Sequence, residues 1–382
     1  MDELSIINLD MKKIPYVIFA IIVSIRLTNL KLIFPFFNQQ LYYAFLFIIL
    51  AYLMINFKVK KINPFSVLLI ITTACSLIFN TIPEYFDSTF RWFGWVLILI
   101  TLGPLISNSG FSNFRKRSLN WVFLICQTVG VLSFFWFILG LPNLGRGDFS
   151  GLTYHSMILG PIASIGFLSI LNKIIFQKIN ILFFIPLFLC FVSTLLAASR
   201  TAIIALLFAS IIVLFYRFKK KSISIIIIFG FLTLSVSGSF LNSLNNKGDK
   251  NSRIFHWTDR IEEFNSSPVY GIGFASIFKG SSGDGGDGMI EPGSSWMAIL
   301  SMTGILGFLN FILLIYSILM KLKKKSSNFN FKESSLYMSI ITFFLVSFIS
   351  EGYVFASGSI LTMIFWLVLG RVYDYNTNNE IR

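Results

Sequence analysis

Long apolar runs, about 16 to 24 residues each and separated by short polar clusters, constrain this chain more than any other feature, because that length crosses ~30 Å of hydrocarbon as an α-helix. Barrel strands are excluded, since they need only ~10 residues and alternate apolar with polar positions. With 55% hydrophobic and 13% charged residues among 382, water is not the main solvent. The expected fold is all-α: a polytopic helical bundle forming one membrane domain over 1–382.

Twelve spans are predicted, near 14–34, 41–57, 62–80, 91–107, 119–141, 153–172, 181–198, 201–216, 222–241, 295–320, 335–350 and 357–372. The formal charge of +14 would draw attention to nucleic acid, but the Lys and Arg lie between apolar runs instead of along one face, so nucleic acid is not an expected partner. They read as topology signals. With an inside N-terminus, 21 of the 31 basic residues fall on the inside and 11 of the 17 acidic residues on the outside, which predicts that both termini are cytoplasmic. Lys12 and Lys13 precede a run without a small-residue cleavage site, so the first span is expected to stay. Lys219–Lys221 and Lys323–Lys325 are anchors first and contacts to anionic membrane lipid second.

The one long outside loop, 242–294, is rich in Gly, Ser, Asn and Asp, and function is expected to face that side. Cys75, Cys126 and Cys190 all lie in apolar runs and read as filler. Gly271-Ile272-Gly273 lacks the third Gly and flanking elements of a dinucleotide loop. Asp284-Gly285-Gly286-Asp287-Gly288 lacks the closing Glu of a calcium loop and reads as a flexible turn. No metal or cofactor is expected.

The chemistry-bearing residues gather at the outer edge. Arg200 sits between two apolar runs with almost no loop around it. A guanidinium there is expensive unless it snorkels to headgroups or clamps an anion, for which its planar fork suits phosphate. Arg91 beside Trp92, Arg146 in Leu144-Gly145-Arg146-Gly147-Asp148, and Arg253 and Arg260 in the long loop approach from the same side, either as solvated charges or as parts of a basic pocket. His155 begins the sixth span and His256 precedes Trp257; neither has a second ligand at metal spacing. Glu291 precedes the point where the long loop re-enters the membrane, and Glu351 begins the last outside turn. A carboxylate at such a mouth is a candidate base, although either acid could equally be solvated.

In order along the chain, Arg146 to His155, Ala197-Ala198-Ser199-Arg200-Thr201-Ala202, Arg253, Trp257, Ser267-Pro268-Val269-Tyr270-Gly271-Ile272-Gly273-Phe274, Ser294-Ser295-Trp296-Met297 and Gly304-Ile305-Leu306-Gly307 resemble the superfamily of Wzy-type polymerases and O-antigen ligases. The resemblance implies an enzyme of the bacterial inner (plasma) membrane, acting on undecaprenyl-diphosphate-linked oligosaccharide at its outer face, with a chain-length regulator protein as partner. It implies that Arg200 holds the diphosphate, that Arg146, Arg253, Arg260, Arg91 and Tyr154 assist or bind sugar, and that Glu291 or His155 is the base. Ligases of the superfamily carry a His shortly before the equivalent of Ser295-Trp296, where this chain has Gly293. That departure favours a polymerase joining two lipid-linked glycans over a ligase transferring to a lipid A core. A glycolipid flippase or transporter has a similar span count, but transporters place charges or broken helices near mid-span. A non-enzymatic assembly partner would have no use for Arg200.

Overall fold

A computed structural model describes residues 14–27, 39–80, 82, 85–143, 148–177, 181–218, 252–285, 290–324 and 331–378. The helices are α1 (Ile14–Leu27), α2 (Gln39–Asn56), α3 (Pro64–Ile78), α4 (Ser88–Thr101), α5 (Ser109–Ile138), α6 (Ser156–Phe176), α7 (Phe184–Leu196), α8 (Arg200–Phe218), α9 (Ser252–Ser266), α10 (Ser295–Lys324), α11 (Phe331–Ser347) and α12 (Ile360–Asn378). Two-residue strands β1 (Lys61–Ile62) and β2 (Ile106–Ser107) pair antiparallel. Among the described residues five helices, α2, α5, α6, α8 and the 295–320 part of α10, are long and apolar enough to cross a membrane; α1, α3, α4 and 181–196 are shorter and apolar. The expected span at 222–241 lies outside the described residues.

Local chemistry sets the helix starts. The Asn63 side chain accepts from Phe65 N–H ahead of Pro64, so α3 begins with a cap and a proline that needs no donor. Asn108 caps α5 by accepting from Phe111 N–H at 2.8 Å. This starts α5 about a turn and a half ahead of Arg115, whereas 119 was expected, and the Arg115-Lys116-Arg117 cluster is helical. Burial of Arg115 is tolerated because Nη1 pairs with Asp374 Oδ1 of α12 at 2.8 Å and donates to Ile106 O at 2.9 Å. α6 is the most enclosed of the long helices, and small residues let it approach its neighbours: Gly130 faces Ala163 and Cys190, Gly166 faces Cys126, and Gly160 faces Ser199 and Ala202.

The run 295–320 was expected to be one straight span, but α10 breaks at Gly304, whose φ of 65° and ψ of −171° are not helical. Several backbone groups freed by the break are taken up by protein. Ser301 O accepts from Ile272 N–H at 3.0 Å and Met302 O from Ser76 Oγ at 2.5 Å, while Ile305 N–H donates to Pro268 O at 2.9 Å. The segment 267–273 is therefore a plug inserted beside the broken helix. It needs glycine where the backbones meet, since a Cβ on Gly271 or Gly304 would strike main-chain atoms of the other strand. The long loop also contains more structure than its composition advertised: α9 is amphipathic, and residues 271–277 after it are buried.

Candidate functional site

The ends of the helices that the charge pattern assigns to the outside converge on one hub, residues 348–360. On one side, Ser295 N–H donates to Phe348 O and Glu351 O, both at 2.9 Å, and its hydroxyl accepts from Tyr353 N–H at 3.1 Å. Ser294 Oγ donates to Phe348 O at 3.0 Å and Trp296 Nε1 to Leu345 O at 3.2 Å. Ser294-Ser295-Trp296 thus fastens the returning loop to the end of α11, with Pro292 against Gly352. On the other side, Trp95 of α4 packs edgewise on Phe355 and Trp366, 5.5 and 5.8 Å between centroids.

Arg200 opens α8 and is exposed. Its position follows from a tight reversal: Ala198 adopts φ of 49°, a left-handed conformation that strains any residue with a Cβ, and Ser199 O then accepts the first bond of α8 from Ile203 N–H. Ser199 abuts Gly160 near the start of α6, at 2.9 Å from an ideal Cβ there. Thr201 Oγ1 lies 2.5 Å from Ser350 Oγ. The Arg200 backbone is thereby braced against both α6 and the hub.

Tyr154 and Arg91, both expected to bind substrate, share a cavity of about 390 Å³ with Ile25, Arg26, Gln39, Ile158 and residues 356–360. Arg26 was not singled out from the sequence, although it stands at the edge of an apolar run as Arg200 does. Its guanidinium lies 5.0 Å from the Tyr42 ring centroid. Ser357 is held by Tyr43 Oη, which donates to it at 2.6 Å and accepts from Gln39 Nε2 at 2.6 Å.

The loop helix α9 carries a second group of residues. Arg260 Nη2 pairs with Glu263 Oε1 at 2.8 Å, both side chains fully buried, and Glu263 Oε1 also accepts from Phe278 N–H at 2.7 Å. Burial raises the Glu263 carboxyl to about 7, against the opposing pull of Arg260 and the Phe278 amide, and burial lowers Arg260. Arg260, expected to contact substrate, is buried within the loop and paired with Glu263. One turn earlier, His256 Nδ1 lies 3.0 Å from Ser282 Oγ, and Ser282 donates to Asp259 Oδ2 through its N–H at 2.7 Å and also through its hydroxyl. His256 was read as a lone histidine; its partner Ser282, 26 residues away and itself bonded to Asp259, is what the sequence order conceals.

The remaining expected residues fall as follows. His155 caps α6, its Nδ1 accepting from Met157 N–H at 3.1 Å. The Glu291 side chain is exposed and its N–H donates to Gly283 O at 2.8 Å. Arg253 lies in the first turn of α9, its side chain outside the described residues, as is Arg146 altogether. Asp284 is ordered in a turn, its Oδ2 accepting from Gly280 N–H at 2.9 Å. Among the described residues no group of three or more His, Cys, Asp or Glu is placed to hold a metal.

A comparison with curated proteins finds no match to this chain. The family model described as O-antigen ligase matches residues 185–312, a stretch that runs from α7 through the broken α10 and so takes in Arg200, the His256-Ser282-Asp259 group and Gly304, in line with the superfamily of O-antigen ligases and polymerases.

Proposed function

We propose that this protein is a membrane glycosyltransferase that polymerises glycan at the outer face of a bacterial plasma membrane, with its termini in the cytoplasm and its bundle acting as one domain. It moves a growing glycan from undecaprenyl diphosphate onto a new lipid-linked repeat unit. The observation that carries the reading is Arg200: an exposed guanidinium between two apolar helices, on a strained turn braced by Gly160 and Ser350, inside the stretch that matches the family model.

In the transfer, a hydroxyl oxygen of the acceptor sugar forms a bond to C1 of the donor sugar. The bond from C1 to the phosphate oxygen breaks, and the diphosphate leaves with the electron pair. Arg200 neutralises the charge gathering on that leaving group. The hydroxyl proton goes to a base. His256 is better placed for this than Glu291 or His155: it has an acceptor atom by nature, a Ser282-Asp259 chain to orient its ring, and contact with Gly293 at the loop return.

That contact also favours a second reading. His256 of α9 lies against Gly293, the place at which ligases of the superfamily carry a His, so a ligase reading is as well supported by this feature as a polymerase. The broken helix, a transporter trait, gives less support to a flippase, because the polar groups it frees at Ser301, Met302 and Ile305 are already bonded to protein. Deletion of the gene followed by gel analysis of surface glycan tests the proposal. Single repeat units still attached to the surface are expected; glycan of full length that is no longer attached points to a ligase, and glycan retained inside points to a flippase.

A further inference from the structure

Joining two lipid-linked glycans requires two diphosphates at one membrane face, and Arg200 accounts for only one. We infer that the cavity between α1, α2, α4, α6 and the start of α12 is a second diphosphate subsite, which holds the acceptor lipid-linked glycan. The inference rests on the polymerase reading above and adds to it the residues for the second substrate.

Charge and shape converge there. A diphosphate esterified at both ends keeps one ionised oxygen on each phosphorus, and two guanidiniums, those of Arg26 and Arg91, line the cavity, cations of the kind that pairs with phosphate. Arg26 Nε and Nη2 are buried without a hydrogen-bond partner among the described residues, and its guanidinium sits 5.0 Å from the Tyr42 ring centroid, so a cation is held at the cavity wall with no carboxylate paired to it among those residues. The lining also includes Ser357, Gly358, Ser359 and Ile360, the entry to the 19-residue α12, where helix N–H groups and dipole favour an anion. Gln39 adds a further polar group. Ile25 and Ile158 give the same cavity an apolar side suited to the first units of a polyprenyl chain. About 390 Å³ falls within the usual range for small-molecule sites of ~300–1,000 Å³. Tyr154, 44% exposed, stands at the lining where a sugar attached to the diphosphate would leave it.

The shared chemistry is a phosphate ester on an apolar tail, which an anionic phospholipid also offers, and the test separates the two. Full-length protein is placed in phosphatidylcholine nanodiscs, and binding of undecaprenyl diphosphate is measured to saturation. At the concentration that just saturates wild type, wild type is expected to bind two equivalents, Arg200→Ala one, and the Arg26→Gln/Arg91→Gln double variant one, because loss of the charge-assisted bonds weakens the cavity about 10- to 100-fold and leaves it largely empty there. If the Gln variant does not fold, Arg26→Lys/Arg91→Lys keeps both charges without the fork. About tenfold weaker binding at one of two sites is expected of it, and unchanged binding would overturn the inference. Two equivalents retained by the Gln variant would do the same, as would displacement of the probe from the cavity by phosphatidylglycerol at equal mole fraction. One equivalent in wild type, lost with Arg200→Ala and untouched by the double variant, removes the second subsite alone. No binding at either place removes the polymerase reading on which it rests.

Discussion

The side chain of His256, on α9, lies against Gly293, 37 residues later at the point where the loop returns to the membrane: a Cβ built on Gly293 would stand 2.7 Å from His256 Cβ and 3.1 Å from its Cγ. Gly293 also has φ of 70°. An alanine there is strained twice, by its backbone and by the ring, and Gly293→Ala is expected to displace the imidazole from Ser282 at a cost of about 1–3 kcal/mol. If His256 takes the acceptor proton, His256→Ala lowers kcat by about 10²- to 10⁴-fold while binding of undecaprenyl diphosphate is unchanged. A loss of only a few-fold in a reconstituted transfer assay would exclude it as the base.

The break in α10 makes a sharp stability prediction. Gly304→Ala forces a left-handed φ on alanine and sets its Cβ against Val269 O, with Gly271 N 2.7 Å away. Expelling the 267–273 plug would leave the Ser301 carbonyl and the Ile305 amide without partners. Destabilisation of about 3 kcal/mol or more is expected, read as loss of monodisperse protein after extraction into detergent. A Gly304→Ala variant as stable as wild type would show that the break is incidental.

Loop anchoring is predicted to depend on pH through Glu263. Burial raises its carboxyl from 4.5 to about 7, so the folded loop prefers the protonated form. Its contribution is therefore fully present below about pH 4.5 and is lost as pH rises through about 7, amounting to at most ~3 kcal/mol. Hydrogen exchange at α9 amides, corrected for the intrinsic pH dependence, should show protection falling across that window. Glu263→Gln, which mimics the protonated state, should flatten the change.

At the opposite end of the bundle, Arg115 and Asp374 form an ion pair in which neither side chain is exposed. Removing one partner strands the other charge, so Arg115→Met or Asp374→Leu alone should destabilise by about 3–5 kcal/mol. The double replacement should recover most of the loss. Thermal midpoints of the two single variants and the double variant close that cycle.

What the sequence made legible was what charge cost makes legible. Arg200, Arg91 and Tyr154 stand out because polar groups at the edges of apolar runs need a reason, and the structure sets two of them in one cavity and the third on a braced turn. Arg115 was not legible in the same way: it falls between the spans expected at 91–107 and 119–141, and the partner that lets it sit inside α5 is 259 residues away. Gly304 sat in a recognised motif, yet nothing local distinguishes it from a helical glycine; only the plug at 267–273 does. The approach of His256 to Gly293 and the gathering of Arg26 with Arg91 are tertiary facts without a sequence period to betray them.

If an arginine-lined outer mouth transfers glycan between lipid diphosphates, purified protein in liposomes, given one lipid-linked repeat unit as both donor and acceptor, should yield on a gel a ladder of longer glycans with wild type and the starting unit alone with folded Arg200→Ala. A ladder that persists in that variant, or none from wild type, would rule the transfer out.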